Sequence, residues 1–216
     1  ITPSVTPDGF GGVIIAWFDY RSGNSTTADV YAQRVSADGT MLWNLNGAPV
    51  AANAGQQSHP VVAADGTGGA YFSWYEDPSS TIMFNVAVQR LDADGVAQFD
   101  ASDTRIDGPP AGLPVMISNG GGESIIAWQN YGDEARGLKF QRIDQSGNAA
   151  FSSPGATLAA ATAFASQPAL VHLFDNTFAA VWHQPGEQED LDVHAIIAGT
   201  PVDQSTLAVI NDQFVD

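Results

Sequence analysis

Val13-Ile14-Ile15-Ala16-Trp17 is an apolar run closed by a tryptophan. The chain writes it three more times, as Ala70-Tyr71-Phe72-Ser73-Trp74, Ser124-Ile125-Ile126-Ala127-Trp128 and Phe178-Ala179-Ala180-Val181-Trp182. The tryptophans stand 57, 54 and 54 residues apart, and Pro3, Pro60, Pro114 and Pro168 each stand 14 residues upstream of one of them. Two unrelated residue types that keep the same spacings mark one unit repeated four times, and a period of this length belongs to a repeat architecture. Near-continuous apolarity over so short a run means a strand covered on both faces.

Working outward from that strand, each proline opens a shorter one: Pro3–Thr6, Pro60–Ala64, Pro114–Ile117 and Pro168–Val171. Proline suits the first residue of a strand, where no ladder donor is lost. The two strands are joined by Asp8-Gly9, Asp65-Gly66, Asn119-Gly120 and Asp175-Asn176, the residue types that tight turns demand. A third, alternating strand follows, as in Asp29–Val35, Asn85–Leu91, Leu138–Ile143 and Asp192–Ile197, with a Gln-Arg pair that the last copy replaces by Ile196-Ile197. A second turn at Gly39, Gly95 and Gly147 is followed four residues later by Trp43, Phe99 and Phe151; in the fourth copy Gly199-Thr200-Pro201 reads as a degenerate version.

Four antiparallel strands per unit, repeated at about 54 residues, predict an all-β chain of β-propeller blades, near 1–55, 56–110, 111–164 and 165–216, in a single domain or segment. A two-sheet sandwich or a solenoid of hairpins is also all-β, but a sandwich has no reason to reuse one tryptophan and one proline at a fixed period. The tail Asn211–Asp216 resembles the linker Asn53–Ser58, so the repeat stops in phase with its start. Either four blades close into a ring, or the chain is an arc of a larger propeller completed by further blades of a parent chain or another subunit.

The pattern Pro3-Ser4-Val5, Asp8-Gly9-Phe10-Gly11-Gly12, Ala16-Trp17-Phe18-Asp19-Tyr20-Arg21 and Val30 to Trp43 resembles propeller-type repeats of large bacterial secreted and cell-surface proteins. The turn Ser36-Ala37-Asp38-Gly39-Thr40 also resembles the Asp-box turn of sialidase-like propellers, although here the glycine follows the aspartate directly. The resemblance implies a propeller and an extracellular or cell-surface location. It says little of activity, because propellers host unrelated functions.

Composition narrows the partners. Seven Lys plus Arg against 24 Asp plus Glu give a formal charge of −17, which repels phosphate backbones and anionic headgroups, so nucleic acid is not an expected partner. No apolar run approaches the length of a membrane-spanning helix. The chain opens on Ile1 rather than Met, as a mature product or an excerpt would, and it has no Cys.

Repetition also sorts the candidate site residues. Trp17, Trp74, Trp128 and Trp182 read as inter-blade core rather than ligand platforms. Arg34, Arg90 and Arg142 read as partners of a carboxylate or carbonyls of the adjacent blade. The loops after the tryptophans differ in length and sequence on a fixed scaffold, as functional loops do. They offer Asp19, Tyr20, Arg21, Glu76, Asp77, Asp133, Glu134, Arg136, Glu187, Glu189 and Asp190 as a composite surface on one rim.

The leading expectation is a non-catalytic binding or assembly module that presents these loops to a protein or glycan. The alternatives are a sialidase-like or other glycan-processing hydrolase and a purely structural subunit. Hydrolysis needs two spaced carboxylates, or a tyrosine nucleophile with an arginine cluster; outside the repeated arginines only Arg21, Arg105 and Arg136 remain, in non-equivalent places. No Gly-x-Ser-x-Gly, P-loop or His-Glu-x-x-His motif is present, and His59, His172, His183 and His194 lack zinc-like pairing. No cofactor is expected. A structural calcium is the one ion that the oxygen-rich stretches Glu187–Asp192 and Asp92–Gly95 suit, though the second is first of all a hairpin turn.

Overall fold

A computed structural model of the chain describes residues 2–21, 27–77, 84–100, 106, 111–112, 114–132, 137–152, 155–160, 166–173, 177–185, 191–198 and 208–210. Their strands form four antiparallel sheets, each a meander in chain order. The first holds β1 (Ser4–Pro7), β2 (Val13–Asp19), β3 (Asp29–Val35) and β4 (Ala48–Ala51). The second holds β5 (Gln56–Ala64), β6 (Ala70–Asp77) and β7 (Asn85–Leu91). The third holds β8 (Val115–Ser118), β9 (Glu123–Asn130), β10 (Gly137–Asp144) and β11 (Ala156–Ala160), and the fourth β12 (Ser166–His172), β13 (Phe178–Pro185), β14 (Leu191–Ala198) and β15 (Ala208–Ile210). The first strands β1, β5, β8 and β12 lie against one another in succession, so they form the inner wall of a β-propeller.

Two details differ from the sequence reading. The second sheet has three strands among the described residues; beyond β7, Ile106 N and Ala111 N donate to the carbonyls of Val86 and Phe84 at 3.0 and 2.9 Å, along the edge where a fourth strand lies in the other sheets. Moreover, β5 and β12 do not open at their prolines. They begin at Gln56 and Ser166, and their pairing slips between Ser58 and Val61 and between Ser166 and Ala169.

The second strands are apolar throughout because their two faces serve two cores. On β2, Ile14, Ala16 and Phe18 meet Phe72 and Trp74 of the second sheet. The opposite face of that sheet, with Tyr71, Val86 and Val88, meets Ile126 and Trp128 of the third. Ile125, Ala127, Leu138 and Phe140 then meet Phe178, Ala180 and Trp182 of the fourth. Alternation along each strand sends odd and even residues to different neighbours.

Each tryptophan therefore faces the preceding sheet. Trp74, Trp128 and Trp182 are 1%, 0% and 4% exposed, whereas Trp17, with no described sheet before it, is only half-buried. At the other end Val171 and Val181 are exposed. Among the described residues the four sheets form an arc with two uncovered faces, not a closed four-bladed ring.

The Gln-Arg pair has a separate job for each member. Gln33, Gln89 and Gln141 each accept from the backbone N–H of the aromatic ten residues on, Trp43, Phe99 or Phe151, at 2.9 Å. Their amides donate back to the carbonyls of Asn44, Phe99 and Phe151 at 2.7, 3.0 and 2.7 Å. This clamps the fourth-strand side of the hairpin to the third strand. The arginines reach the turn between the first and second strands of their own sheet: Arg34 meets Asp8 at 2.9 Å, Arg90 meets Asp65 at 2.7 Å and Arg142 meets Glu123 at 2.5 Å. The expected partner in the adjacent blade is thus corrected. The arginine sits near the end of its strand, beside the turn of the same meander, and finds the nearest carboxylate there.

Asp65 shows why these turns hold. It is fully buried and accepts from Thr67 N and Oγ1 at 2.8 Å each, from Gly69 N at 3.0 Å and from Arg90. Burial alone would push its carboxyl up, but the bonds from Thr67 and Arg90 outweigh burial and hold it below the usual carboxylate value.

Consecutive blades also lock at the second turn. Gly95 has φ +77°, and a Cβ there would lie 2.8 Å from the Trp43 ring, whose indole N–H donates to the Ala93 carbonyl at 2.9 Å. Gly95→Ala is expected to cost about 2 kcal/mol, from the positive φ and the lost fit under Trp43. Chemical denaturation checks this, and an unchanged midpoint would show that the ring does not seat there.

Candidate functional site

Among the described residues the tight turns within the meanders lie at one end of the arc. The ends of the second strands and the starts of the third lie at the other, the loop end, and among the described residues this end holds Asp19, Tyr20, Arg21, Glu76 and Asp77. Asp19 is the last residue of β2 rather than a loop residue. It accepts from the Trp17 indole at 2.9 Å and from Arg21 Nε at 2.9 Å. The Arg21 hydrogen bond, working against partial burial, holds the Asp19 carboxyl low. The guanidinium also donates to the Asn46 carbonyl and lies 3.8 Å from the Tyr31 ring centre. Beside it a cavity of about 510 Å³ is lined by Trp17, Arg21, Gln33, Met41, Leu45, Asn46 and Gly47. That cavity opens on the uncovered face of the first sheet, where in the other sheets the preceding blade packs.

Glu76 and Asp77 end β6, and they are 4% and 1% exposed, not solvated loop. As neighbours on one strand they point to opposite faces. Glu76 shares the side of Trp74, toward the first sheet, and Asp77 the side of Tyr75, toward the third. Of the other candidates, Asp133, Glu134, Arg136, Glu187, Glu189 and Asp190 lie outside the described residues. The structure thus brings Asp19 and Arg21 together with Tyr20 beside them, and sets Glu76 and Asp77 one blade away.

Among the described residues no group of three or more His, Asp or Glu is placed to hold a metal ion. The Asp92 carboxylate closes its own turn, accepting from Asp94 N at 3.0 Å, Val96 N at 2.9 Å and Gln98 Nε2 at 2.8 Å.

His59, which the sequence reading weighed only as a zinc ligand, is the residue it did not place at the site. It falls in the slip of β5, at φ 52°, and is the described non-glycine residue with positive φ. It also directly precedes Pro60, whose ring disfavours helical backbone at that place. Its exposed ring lies between Phe18 of the first sheet and Tyr75 of its own, each centroid 5.6 Å away. Tyr75 stacks in turn on Phe84 at 5.0 Å, and burial pushes the Tyr75 hydroxyl well above its ordinary value. The available signal was positional. The residue before the repeat proline is Thr2, His59, Leu113 or Gln167, a varying place on the inner strand where the flanking pattern is constant.

No family model matches this chain, and no curated protein resembles it in sequence. Solved structures do resemble it. An α-L-arabinanase of Penicillium chrysogenum complexed with arabinobiose superposes with a TM-score of 0.61 at 12% identity, over 96% of this chain and 65% of the other. A GH93 α-L-arabinofuranosidase of Fusarium graminearum with arabinobiose gives 0.61 at 13% identity, over 96% and 64%. The chain thus spans about two thirds of the length of these enzymes, and at such identities the likeness is one of fold, the β-propeller. The likeness supports a β-propeller and does not single out sialidase-like Asp-box repeats. The expectation of a non-catalytic binding or assembly module is corrected here, because the propellers that share its fold over nearly its whole length are glycan-hydrolysing enzymes.

Proposed function

We propose that this chain is the propeller portion of a glycan-processing hydrolase working outside the cell, with its substrate bound at the loop end. The observation that carries the reading is the superposition of 96% of the chain on two enzymes, both described with arabinobiose. Four blades that span about two thirds of such rings leave room for about two more, which fits the uncovered faces beside Trp17 and Val181.

Glycoside hydrolysis takes two carboxyl groups, about 5–5.5 Å apart for retention and about 6.5–9.5 Å for inversion. Because Glu76 and Asp77 leave opposite faces of β6, they cannot flank one scissile bond together. Both are buried between blades at the loop end, so in this reading at most one of them reaches substrate, and its partner carboxylate comes from another blade. Incubation of the folded chain with linear arabinan and other neutral polysaccharides, with reducing ends counted, is expected to show release. Either Glu76→Gln or Asp77→Asn, but not both, is expected to lower it about a hundredfold. A folded chain that releases nothing from any of these polymers overturns the reading.

A further inference from the structure

We infer that His59 is the centre of a carbohydrate-binding platform, an aromatic shelf across the inner edge of the first three blades that stacks on the rings of an uncharged oligosaccharide. The inference rests on the reading of the loop end as the glycan-facing end, and it assigns that site residues and a ligand charge.

The shelf is continuous. Tyr20, 43% exposed, meets Phe18 edge to face at 6.4 Å, and Phe18, itself buried in the core between the first two sheets, backs the shelf from below. Phe18 leads to His59, His59 to Tyr75 and Tyr75 to Phe84. Tyr131, 44% exposed, follows β9 at the same end. Tyr20, His59 and Tyr131 combine an apolar ring face with a polar edge, which suits a sugar, since it offers C–H groups on its face and hydroxyls at its rim.

The backbone of His59 points to the same use. A left-handed φ on a residue other than glycine, directly before a proline, costs folding free energy that glycine would not incur. The ring gains little burial in return, since His59 stays exposed. Its Nδ1 lies 3.1 Å from Ser58 Oγ, which fixes the ring plane. The ring bridges Phe18 and Tyr75 of adjacent blades yet stays exposed, so a strained backbone holds an oriented ring where it faces outward from that seam.

Charge selects the ligand. Arg34, Arg90 and Arg142 are tied to carboxylates at the opposite end of the arc, Arg21 to Asp19, and Lys139 donates to Thr157 at 2.8 Å. Among the described residues no cation is left at the shelf to meet a carboxylate-bearing sugar, and the net charge of −17 repels one.

Titration of the chain with arabinobiose and longer linear arabinan oligosaccharides, followed by calorimetry and tyrosine fluorescence, tests this. Oligogalacturonate of equal length serves as the anionic counterpart. Binding of the neutral series and not of the anionic one is expected. His59→Gly is expected to weaken the neutral series about tenfold without lowering the thermal midpoint, since glycine accepts the backbone that histidine strains. Tyr20→Ala, an exposed change, is expected to weaken it as well. Full affinity in His59→Gly, or tighter binding of the anionic series, overturns the inference. So does a lowered midpoint with affinity unchanged, which would make His59 a structural plug. Binding without turnover would sink the hydrolase reading and leave the platform standing; turnover without neutral-sugar binding at His59 would do the reverse.

Discussion

Asp65→Ala is expected to destabilise the chain by about 3–5 kcal/mol, because it removes one partner of a buried ion pair and leaves the other uncompensated. Arg90 donates to Asp65 through Nε and Nη2 at 3.0 and 2.7 Å, and Thr67 N and Gly69 N lose their acceptor in the same step. Asp65→Asn should cost less, since an amide oxygen still closes the turn while the charge is gone.

The third repeat already shows that variant. Asn119 Oδ1 accepts from Gly121 N and Glu123 N at 2.8 and 3.2 Å, and the charge for Arg142 comes from Glu123. The two solutions exclude each other: a Cβ on Gly69, the position equivalent to Glu123, would fall 2.7 Å from Asp65 Oδ2 and 2.3 Å from the Leu91 carbonyl.

The same residue fixes the response to acid. The Asp65 and Asp8 carboxyls are held below the ordinary aspartate value. For both, burial is the largest influence and raises the carboxyl, and hydrogen bonds from turn amides and arginine overcome it. A folded value below the unfolded one gives stability that is fully present above about pH 4 and is lost as pH falls through the folded value. Unfolding free energy should therefore drop as pH falls below about 4, and the drop should be shallower in Asp65→Ala. Parallel slopes would mean that Asp65 is not an acid-labile tie.

What the sequence made legible follows from what repeats. The period of Trp and Pro located the second strand of every sheet, because a ring that fills the wedge between sheets is needed once per blade. Asp-Gly and Asn-Gly located the turns through their backbone. The Gln-Arg pair could be recognised as architecture, but its partners could not: which carboxylate Arg34 reaches depends on the meander returning Asp8 to the end of β3, a matter of three-dimensional register.

The candidate site was less legible for the same reason. Glu76 and Asp77 follow a tryptophan in sequence and read as loop, yet β6 runs on to Asp77 and buries both. His59 is set by a slip in pairing between Ser58 and Val61, which leaves no residue-type signature beyond a proline that the repeat already accounts for.

Trp128→Ala is expected to cost about 3–5 kcal/mol, the largest effect of any single core truncation in the arc. The ring is fully buried among Tyr71, Val86, Phe99 and Ile126. A Cβ on Gly155 would come within 2.9 Å of its edge, so backbone approaches it where no neighbour can collapse into the void. Trp17 occupies the same place in the first repeat but has no described sheet before it. Its indole is covered by Tyr31 at 6.5 Å and Arg21 at 5.9 Å, and Trp17→Ala should cost only about 1 kcal/mol. Urea denaturation of the two variants side by side reads the difference directly. Equal costs would mean that another blade, from this chain or a second copy, covers Trp17 in solution. In that case the added loss should shrink with dilution if the cover is a second copy, and stay constant if it is not.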